Sequence, residues 1–569
     1  MKRFVVVGLA VIATACGGER DAAAPATAWD DFCARVMPRV RDFVARSARE
    51  HPVPDDDRYG GTAVAAGIAE LTGGMSPTAT DYVGTQHQQF VNLMTLVTYD
   101  ADLEPQPYLA RSWDVNADST LLTFHLRTDV YWHDGVRTDA GDVAFTYRLA
   151  TDPLSAYPNS AYFSYYDTGP DGMQVLDDST VAVHMRPHVD FMDTWRALVI
   201  LPAHLLQDVP PEEIGHHPFA SQCPVGNGPF VFVEHRPQDR WVFEANPAFP
   251  EGLGGRPYLD RLVYRIVPEQ TTLLTELLTG SVDLYIGVAP DQAQRVQDAP
   301  GVSLEAFHHR EFLIAGWNAR RPQLADARVR RAITMAVNRR EIVDATLHGY
   351  GQIANGTVPP FHWAYDSAAV PELPYDPAGS RELLADAGWV DRDGDGVREN
   401  SDGVPLHIDL KTNAGNQLRE SVAQIMQAQL AKVGIEVRPL FEDPGALTQE
   451  IFGPTRDFDG FIISWMQDFR VDDLNLFHSE HIDDPFAMSG TDNPEIDRLL
   501  DTLQLVTDRE KAQPLWNEYQ RLLVREQPYT FLFFMDRIAG IRDRMKGVDM
   551  DVRGEWPTVR TWWIDPAMR

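Results

Sequence analysis

The residues best placed to bind a ligand lie at 465–477, WMQDFRVDDLNLF. The apolar run FIISW at 461–465 reads as a buried strand, and it gives way to a loop carrying Asp468, Arg470, Asp472 and Asp473. Ligands of α/β proteins gather at such carboxyl ends of strands. This segment is therefore the first ligand-binding candidate, with Trp465 and Phe469 offering apolar and cation–π surface. Core packing would explain Trp465 alone equally well. Trp317 and Asn318, on a strand opening the second half, are further cleft candidates, and the polar loop at 74–87 is another.

A second run suggests a metal. Residues 391–402, DRDGDGVRENSD, set Asp391, Asp393, Asp395, the Val397 carbonyl, Glu399 and Asp402 at the spacing of a calcium loop, with Gly396 at its turn. The last ligand position holds Asp402 where Glu gives a longer bidentate reach, and a strand follows in place of a second helix. The alternative is an acidic hairpin tip held by Asx turns. If calcium binds, it orders the loop; no cofactor is otherwise required. Catalytic patterns are missing: there is no HExxH, GxSxG or GxxxxGK[ST]. His216-His217 and His308-His309 are adjacent pairs, which point to opposite faces of a strand and make poor paired ligands.

The chain has 569 residues, too many for one core, and a formal net charge of −33. That charge argues against nucleic acid, which needs a basic footprint. Lys2-Arg3 and the short apolar run at 4–13 make an export leader too short to span a bilayer. The ATAC at 13–16 resembles a bacterial lipobox with Ala13 in place of the usual Leu, which makes Cys16 the lipidation candidate. Residues 17–28 are then a flexible tether. Cys33 and Cys223 can form one disulfide in an oxidising compartment, although sequence separation leaves their distance open.

Positioning elements follow in order. Trp29, Phe32, Cys33, Val36, Met37, Val40, Phe43 and Val44 recur at helical spacing, with Pro38 expected to kink or split the helix. Either this helix docks on a membrane or partner, or it packs on the protein's own body. At 131–153, YWHDGVRTDAGDVAFTYRLATDP, a strand and an Asp134-Gly135 turn lead to a helix with Thr138 as cap and Ala140, Val143, Ala144 and Tyr147 on its packing face. Residues 71–87 read as loop and 90–97 as helix. Strands then alternate with helices to the C-terminus, which argues for α/β lobes.

Many of these segments, in order, resemble the family-5 solute-binding proteins of ABC transporters, the peptide/nickel-binding type. The run "DG..T...DV.F" at 134–145 is one hallmark. Others are GGT at 60–62, LARSWDV at 109–115, GNGP at 226–229, GSVD at 280–283 and DARVRRAI at 326–333. Asn338 stands where Asp is common. The resemblance covers about residues 58 to 566. It implies an α/β, class II periplasmic-binding-protein-like fold, two lobes with a hinge plus an extra α/β domain. The expected layout is a signal peptide (1–15), tether and helix (16–57), lobe I (58–97), extra domain (98–205), lobe I again (206–306), lobe II (307–535) and a return to lobe I (536–569).

By the same resemblance, Asp468 matches the Asp of a "W..D" that meets the ligand's positive amino end, a charge-assisted contact. The stretch from Arg470 to Asp473 departs from the "DP" of many relatives. The function implied is a monomeric, lipid-anchored envelope or periplasmic receptor. It would pass peptides to ABC permease subunits and would not be an enzyme. The alternatives are a nickel chelate, an oligosaccharide or another small cationic solute; a secreted hydrolase or a structural lipoprotein would be a different class.

Overall fold

In the computed structural model, which describes residues 29, 31–78, 81–169 and 172–569, one mixed sheet runs through both halves of the protein. The leader, the tether and Cys16 lie outside these residues. At one end of the sheet the hairpin Phe230–Arg236 and Arg240–Ala245 pairs antiparallel with Arg261–Ile266. Thr62–Gly67 runs parallel to Arg261–Ile266 and to Leu284–Ile286. At the other end His407–Asn413 runs parallel to Glu436–Glu442 and to Gly460–Met466. Two long strands, Val302–Trp317 and Tyr529–Arg542, join the ends as an antiparallel pair. Their register shifts between His308 and Phe312, and again between Leu313 and Ile314. Such irregularities bend a ladder and re-aim side chains.

Each half buries apolar side chains on both faces of its sheet. In the second half Leu313, Ala315 and Ile462 face one core, while Phe312, Ile314 and Phe461 face the other. That is the period-2 alternation of a strand covered on both sides. The two halves are the two lobes of a periplasmic-binding-protein-like fold.

A separate four-stranded antiparallel sheet carries the 131–153 unit. Its order is Ala110–Val115, Leu121–Leu126, Thr180–His184 and Met173–Asp177. The helix Ala140–Thr151 buries Ala140, Val143, Ala144 and Tyr147, as the spacing predicts. Its cap is Asp139, not Thr138: the Asp139 carboxylate accepts from Gly141 N, and Asp142 reaches back to Asp139 N in a capping box. Asp142 is better connected than a surface cap, since it also takes Trp132 Nε1 (2.8 Å) and Ala203 N (2.8 Å).

The first helix, Phe32–Glu50, runs unbroken through Pro38 and buries Phe32, Val36, Val40, Phe43 and Ser47 against the body. Cys33 and Cys223 form a disulfide, with Cα atoms 5.6 Å apart. Arg39 reaches the buried Asp134 (2.6 Å), which also accepts from His204 (3.0 Å). The helix therefore spends its apolar face on its own chain. Between residues 71 and 97 the helix starts earlier than expected and continues as a π-helical turn, Gln88–Asn92, so only residues 90–92 of the expected helix are helical. Asp81 caps a helix at Tyr82–His87 by accepting from Gly84 N (2.6 Å), and Val97–Tyr99 is a strand. The N-cap signal of Asp81 outweighs the Gly- and Thr-rich composition around it. Among the described residues, no helix is long and apolar enough to cross a membrane.

Candidate functional site

Strand Gly460–Met466 pairs along Val302–Trp317, with Glu311 opposite Met466. The chain leaves the sheet there, level with the register shift, and Asp468 turns into a cavity of about 380 Å³. Every part of the fold contributes to its wall. Tyr82, Thr85 and Gln86 come from the Asp81-capped helix in the first lobe, with Pro77 from the loop before it. Tyr157, Tyr162 and Arg196 come from the body around the four-stranded sheet. Arg310 comes from the shifted stretch of the long strand, and Met466 and Asp468 from the second lobe.

Charges of both signs meet here. The Asp468 side chain is 41% exposed and stands 3.8 Å from Arg310 Nη1. Enclosure pushes its carboxyl above the ordinary value, and the nearby Asp193 adds to this; Arg310, the Tyr162 hydroxyl and Arg196 oppose it. Arg310 donates from Nη1 to the Gln467 carbonyl (2.8 Å), and its buried Nε has no partner among the described residues. Arg196 donates from Nε to Asp193 (2.6 Å). Burial alone would raise the Asp193 carboxyl, but the Arg196 charge wins and holds it low. The arrangement can hold an ammonium at Asp468 and a carboxylate or other anion at the guanidiniums.

Phe469 is buried behind this wall and does not line the cavity. Its ring lies 4.8 Å from the Arg196 guanidinium carbon and 4.6 Å from that of Arg310, so it is a platform for the two cations. Trp465 is a correction. Alternation along the strand sends Met466 to the cavity and Trp465 to the opposite face, where it packs edge-on against Phe486 at 5.7 Å. Trp317 and Asn318 are also corrections. Trp317 is fully buried in the second lobe, donates to Thr530 Oγ1 (3.0 Å) and lies over Gly460, where a Cβ would stand 2.7 Å from the indole. Asn318 donates to the carbonyls of Arg456 (3.1 Å) and Phe458 (2.9 Å) and serves to join loops.

Sequence reasoning missed Arg196, Arg310, Tyr157 and Tyr162. The signal for Arg310 was an arginine set between Phe307 and Phe312 in a strand; for Arg196 it was Asp193 three residues earlier. Loop 74–87 does reach the cavity, through Pro77, Tyr82, Thr85 and Gln86.

Carboxylate oxygens of Asp391, Asp393, Asp395 and Glu399 lie within 4.8 Å of one another. Asp402 is outside this group, in the next turn, where its amide donates to Asn400. The loop largely satisfies itself. Asp391 accepts from Gly394 and Gly396, Asp395 from the Val397 amide, and Glu399 from the Arg392 amide. This is an Asx-turn tip whose exposed carboxylates have the donor chemistry for calcium.

Beside the cavity's wall, hydrogen bonds join the four-stranded body to the second lobe. Asp190 accepts from Trp363 Nε1 and Arg509, Tyr165 donates to Asp472 (2.9 Å), and Asp193 accepts the Arg470 amide (3.1 Å).

Residues 104–481 match the family "Bacterial extracellular solute-binding proteins, family 5 Middle". The chain is 28% identical over 513 residues to the oligopeptide-binding protein AppA of Bacillus subtilis, covering 89% of this chain and 92% of that protein. It is 25% identical over 502 residues to heme-binding protein A of Haemophilus influenzae, covering 82% and 85%. The solved structure of AppA with a nonapeptide superposes with a TM-score of 0.73 at 25% identity, over 89% of this chain and 99% of that one. NikZ of Campylobacter jejuni with Ni(L-His) shares the fold, with a TM-score of 0.73 at 23% identity over 90% and 100%. With the match spanning well over half its length and the two-lobed fold in agreement, the chain belongs to the family-5 extracellular solute-binding proteins of bacteria.

Proposed function

We propose that this protein is the ligand-capturing receptor of an ABC importer and that it takes short peptides. One observation carries the reading: Asp468 and the pair Arg196 and Arg310 face a single cavity, so a small zwitterion finds a partner for each end. At about 380 Å³ the cavity falls within the range of small-molecule sites, which suits a di- or tripeptide. The amino end meets Asp468 and the carboxylate meets the guanidiniums, while hydroxyls and amides of the wall leave side-chain identity loosely specified. Closure buries the ligand, and the permease reads the closed form; the ligand stabilises that form by binding it better than the open one. No ligand bond is made or broken.

In this reading the protein is a monomer held at the envelope by a lipid on Cys16, with lobes meeting at the register shift of the long strands. Calcium on the Asp391–Glu399 group would order that loop alone. A second reading, a carboxylate-bearing metal chelate, is favoured by the same two guanidiniums and by the name of the NikZ complex.

Native mass spectrometry of gently purified protein tests the choice. Co-purified di- or tripeptides support the first reading, and a metal-bearing adduct the second. A dipeptide amide should bind at least tenfold more weakly than the free acid; equal affinity would sink the carboxylate assignment.

A further inference from the structure

The wall of the ligand cavity is braced from behind by a segment far along the chain. Tyr82 and Gln86 line the cavity from the helix Tyr82–His87. Three consecutive residues near the C-terminus, 553–555, back them, each by a different contact. Gln86 donates from Nε2 to the Arg553 carbonyl (3.0 Å). Gly554 has a φ of 131°, and a Cβ there would collide with Gln86 Oε1 and stand 2.7 Å from the Tyr82 hydroxyl oxygen. Glu555 is buried and accepts from Arg537 Nε (2.9 Å), and the Arg537 guanidinium carbon lies 4.9 Å from the centre of the Tyr82 ring.

The bracing reaches the two long strands that join the lobes. Arg537 lies on Tyr529–Arg542 opposite Phe307, next to the register shift that follows His308. From the other long strand, the His309 ring meets the Tyr82 ring edge-on, with centroids 4.9 Å apart and planes at 85°. A cation over the ring and a second ring against it leave Tyr82 little freedom. Arg553 donates from Nη1 to the Tyr99 carbonyl (2.7 Å) and pairs with Asp551, which fixes the segment itself. The Gln86 amide is confined in the same way: Arg553 and Gly554 fill the space behind it, and the open space beside it is the cavity.

We propose that Gly554 sets the size limit of the ligand, and that Arg553, Glu555 and Arg537 are positioning residues that hold Gln86 and Tyr82 at the wall. The proposal rests on the reading that ligand occupies this cavity, and it adds a determinant that touches no ligand itself. A turn explains a glycine at positive φ. It does not explain why two cavity-lining side chains approach that glycine so closely that no Cβ fits between them. Any side chain at 554 pushes the Gln86 amide and the Tyr82 ring toward the cavity, and the volume they take is lost to the ligand.

Calorimetry of the intact protein with Ala-Ala and Ala-Ala-Ala tests it, since both peptides carry the same two charged ends. In Gly554→Ala the Kd for Ala-Ala-Ala should rise about tenfold and that for Ala-Ala less than about threefold. Gln86→Ala introduces no backbone strain and widens the wall; it should shift the affinity ratio about threefold in favour of Ala-Ala-Ala. The double variant should return toward the wild-type ratio, although the strain of a side chain at 554 persists in it. An unchanged ratio in either single variant, or no return in the double variant, overturns the proposal. A crystal structure of Gly554→Ala supplies an arm that needs no peptide: Gln86 and Tyr82 should stand about 1 Å or more closer to the cavity centre. Side chains at their wild-type positions would overturn the proposal. If the wild type binds neither peptide, the peptide reading falls, and the crystal structure still decides the role of Gly554.

Discussion

Asp190 joins two cross-body contacts on one carboxylate: Oδ1 accepts from Arg509 Nε at 3.0 Å, and Oδ2 accepts from Trp363 Nε1 at 2.8 Å. Asp190 holds a left-handed backbone, φ 57°, which Asp tolerates better than most residues. Its side chain is almost fully buried, whereas Arg509 remains one-third exposed. The clasp connects the segment after the four-stranded sheet to the helix Arg509–Glu526 of the second lobe. Arg509→Ala should shift the balance toward separated lobes, raise Kd about fivefold and increase ligand off-rate, with little change in the fold. Stopped-flow release of a bound fluorescent peptide measures this; an unchanged off-rate would remove the clasp from the closing mechanism.

Asp468 offers its carboxylate to the cavity while Arg310 stands 3.8 Å away, too far for a tight pair. That spacing leaves room for an incoming ammonium to compete. Asp468→Ala should weaken dipeptide binding about 100-fold, the range for losing one partner of a desolvated charge pair, with an unchanged circular-dichroism spectrum. N-acetylated dipeptides, which lack the ammonium, should bind wild type and variant alike. Calorimetry showing full affinity in the variant would sink the assignment.

Glu70 supplies an acid-sensitive joint in the first lobe. Its carboxylate takes Trp241 Nε1 (2.6 Å), the amides of Leu71 and Gln238 (both 2.9 Å) and the His235 ring. Burial works against the charge, but these donors prevail and lower the carboxyl to about 2. The folded value lies below the unfolded one near 4.5, so the stabilisation is complete above about pH 4.5 and is lost as pH falls toward 2. It amounts to about 3 kcal/mol at most. Glu70→Gln should be less stable at pH 7 and flatten the acid limb between pH 4.5 and 2. Urea melts across that range check it; an unaltered slope would refute the role.

The Cys33–Cys223 disulfide closes a loop with sequence separation 190. Chain entropy alone would make such a link worth about 5 kcal/mol, and native disulfides commonly give about 2–5. Cys33→Ser should lower the melting temperature and expose the Phe32–Glu50 helix to limited proteolysis, while ligand affinity stays the same. Proteolysis indistinguishable from wild type would mean that packing alone holds the helix.

Local patterns made much of the fold legible. The Asp134-Gly135 turn and the Ala140, Val143, Ala144 and Tyr147 face placed a helix correctly, because caps and periodicity act within a few residues. Composition misled at 71–87, where one capping aspartate started a helix inside a Gly- and Thr-rich stretch that runs on into Gln88–Asn92. At the site, the end of a buried strand pointed to Asp468. Alternation along that strand leaves undetermined which face is cleft and which is core, which only packing decides for Trp465, and Phe469 lies beyond the strand, where the two arginines cover it.

By itself the sequence determined the family, the two-lobed α/β architecture and the strand end that carries Asp468, since each rests on short-range order along the chain. Only the tertiary structure decided what Asp468 faces. Arg196 and Arg310 come from different bodies, and a shifted strand register turns one of them into the cavity. Local propensity says nothing about that register, which depends on how two long strands settle against cores on both sides. The same holds for Trp317: a tryptophan at a strand end reads alike in a cleft or a core until packing against Gly460 shows which it is.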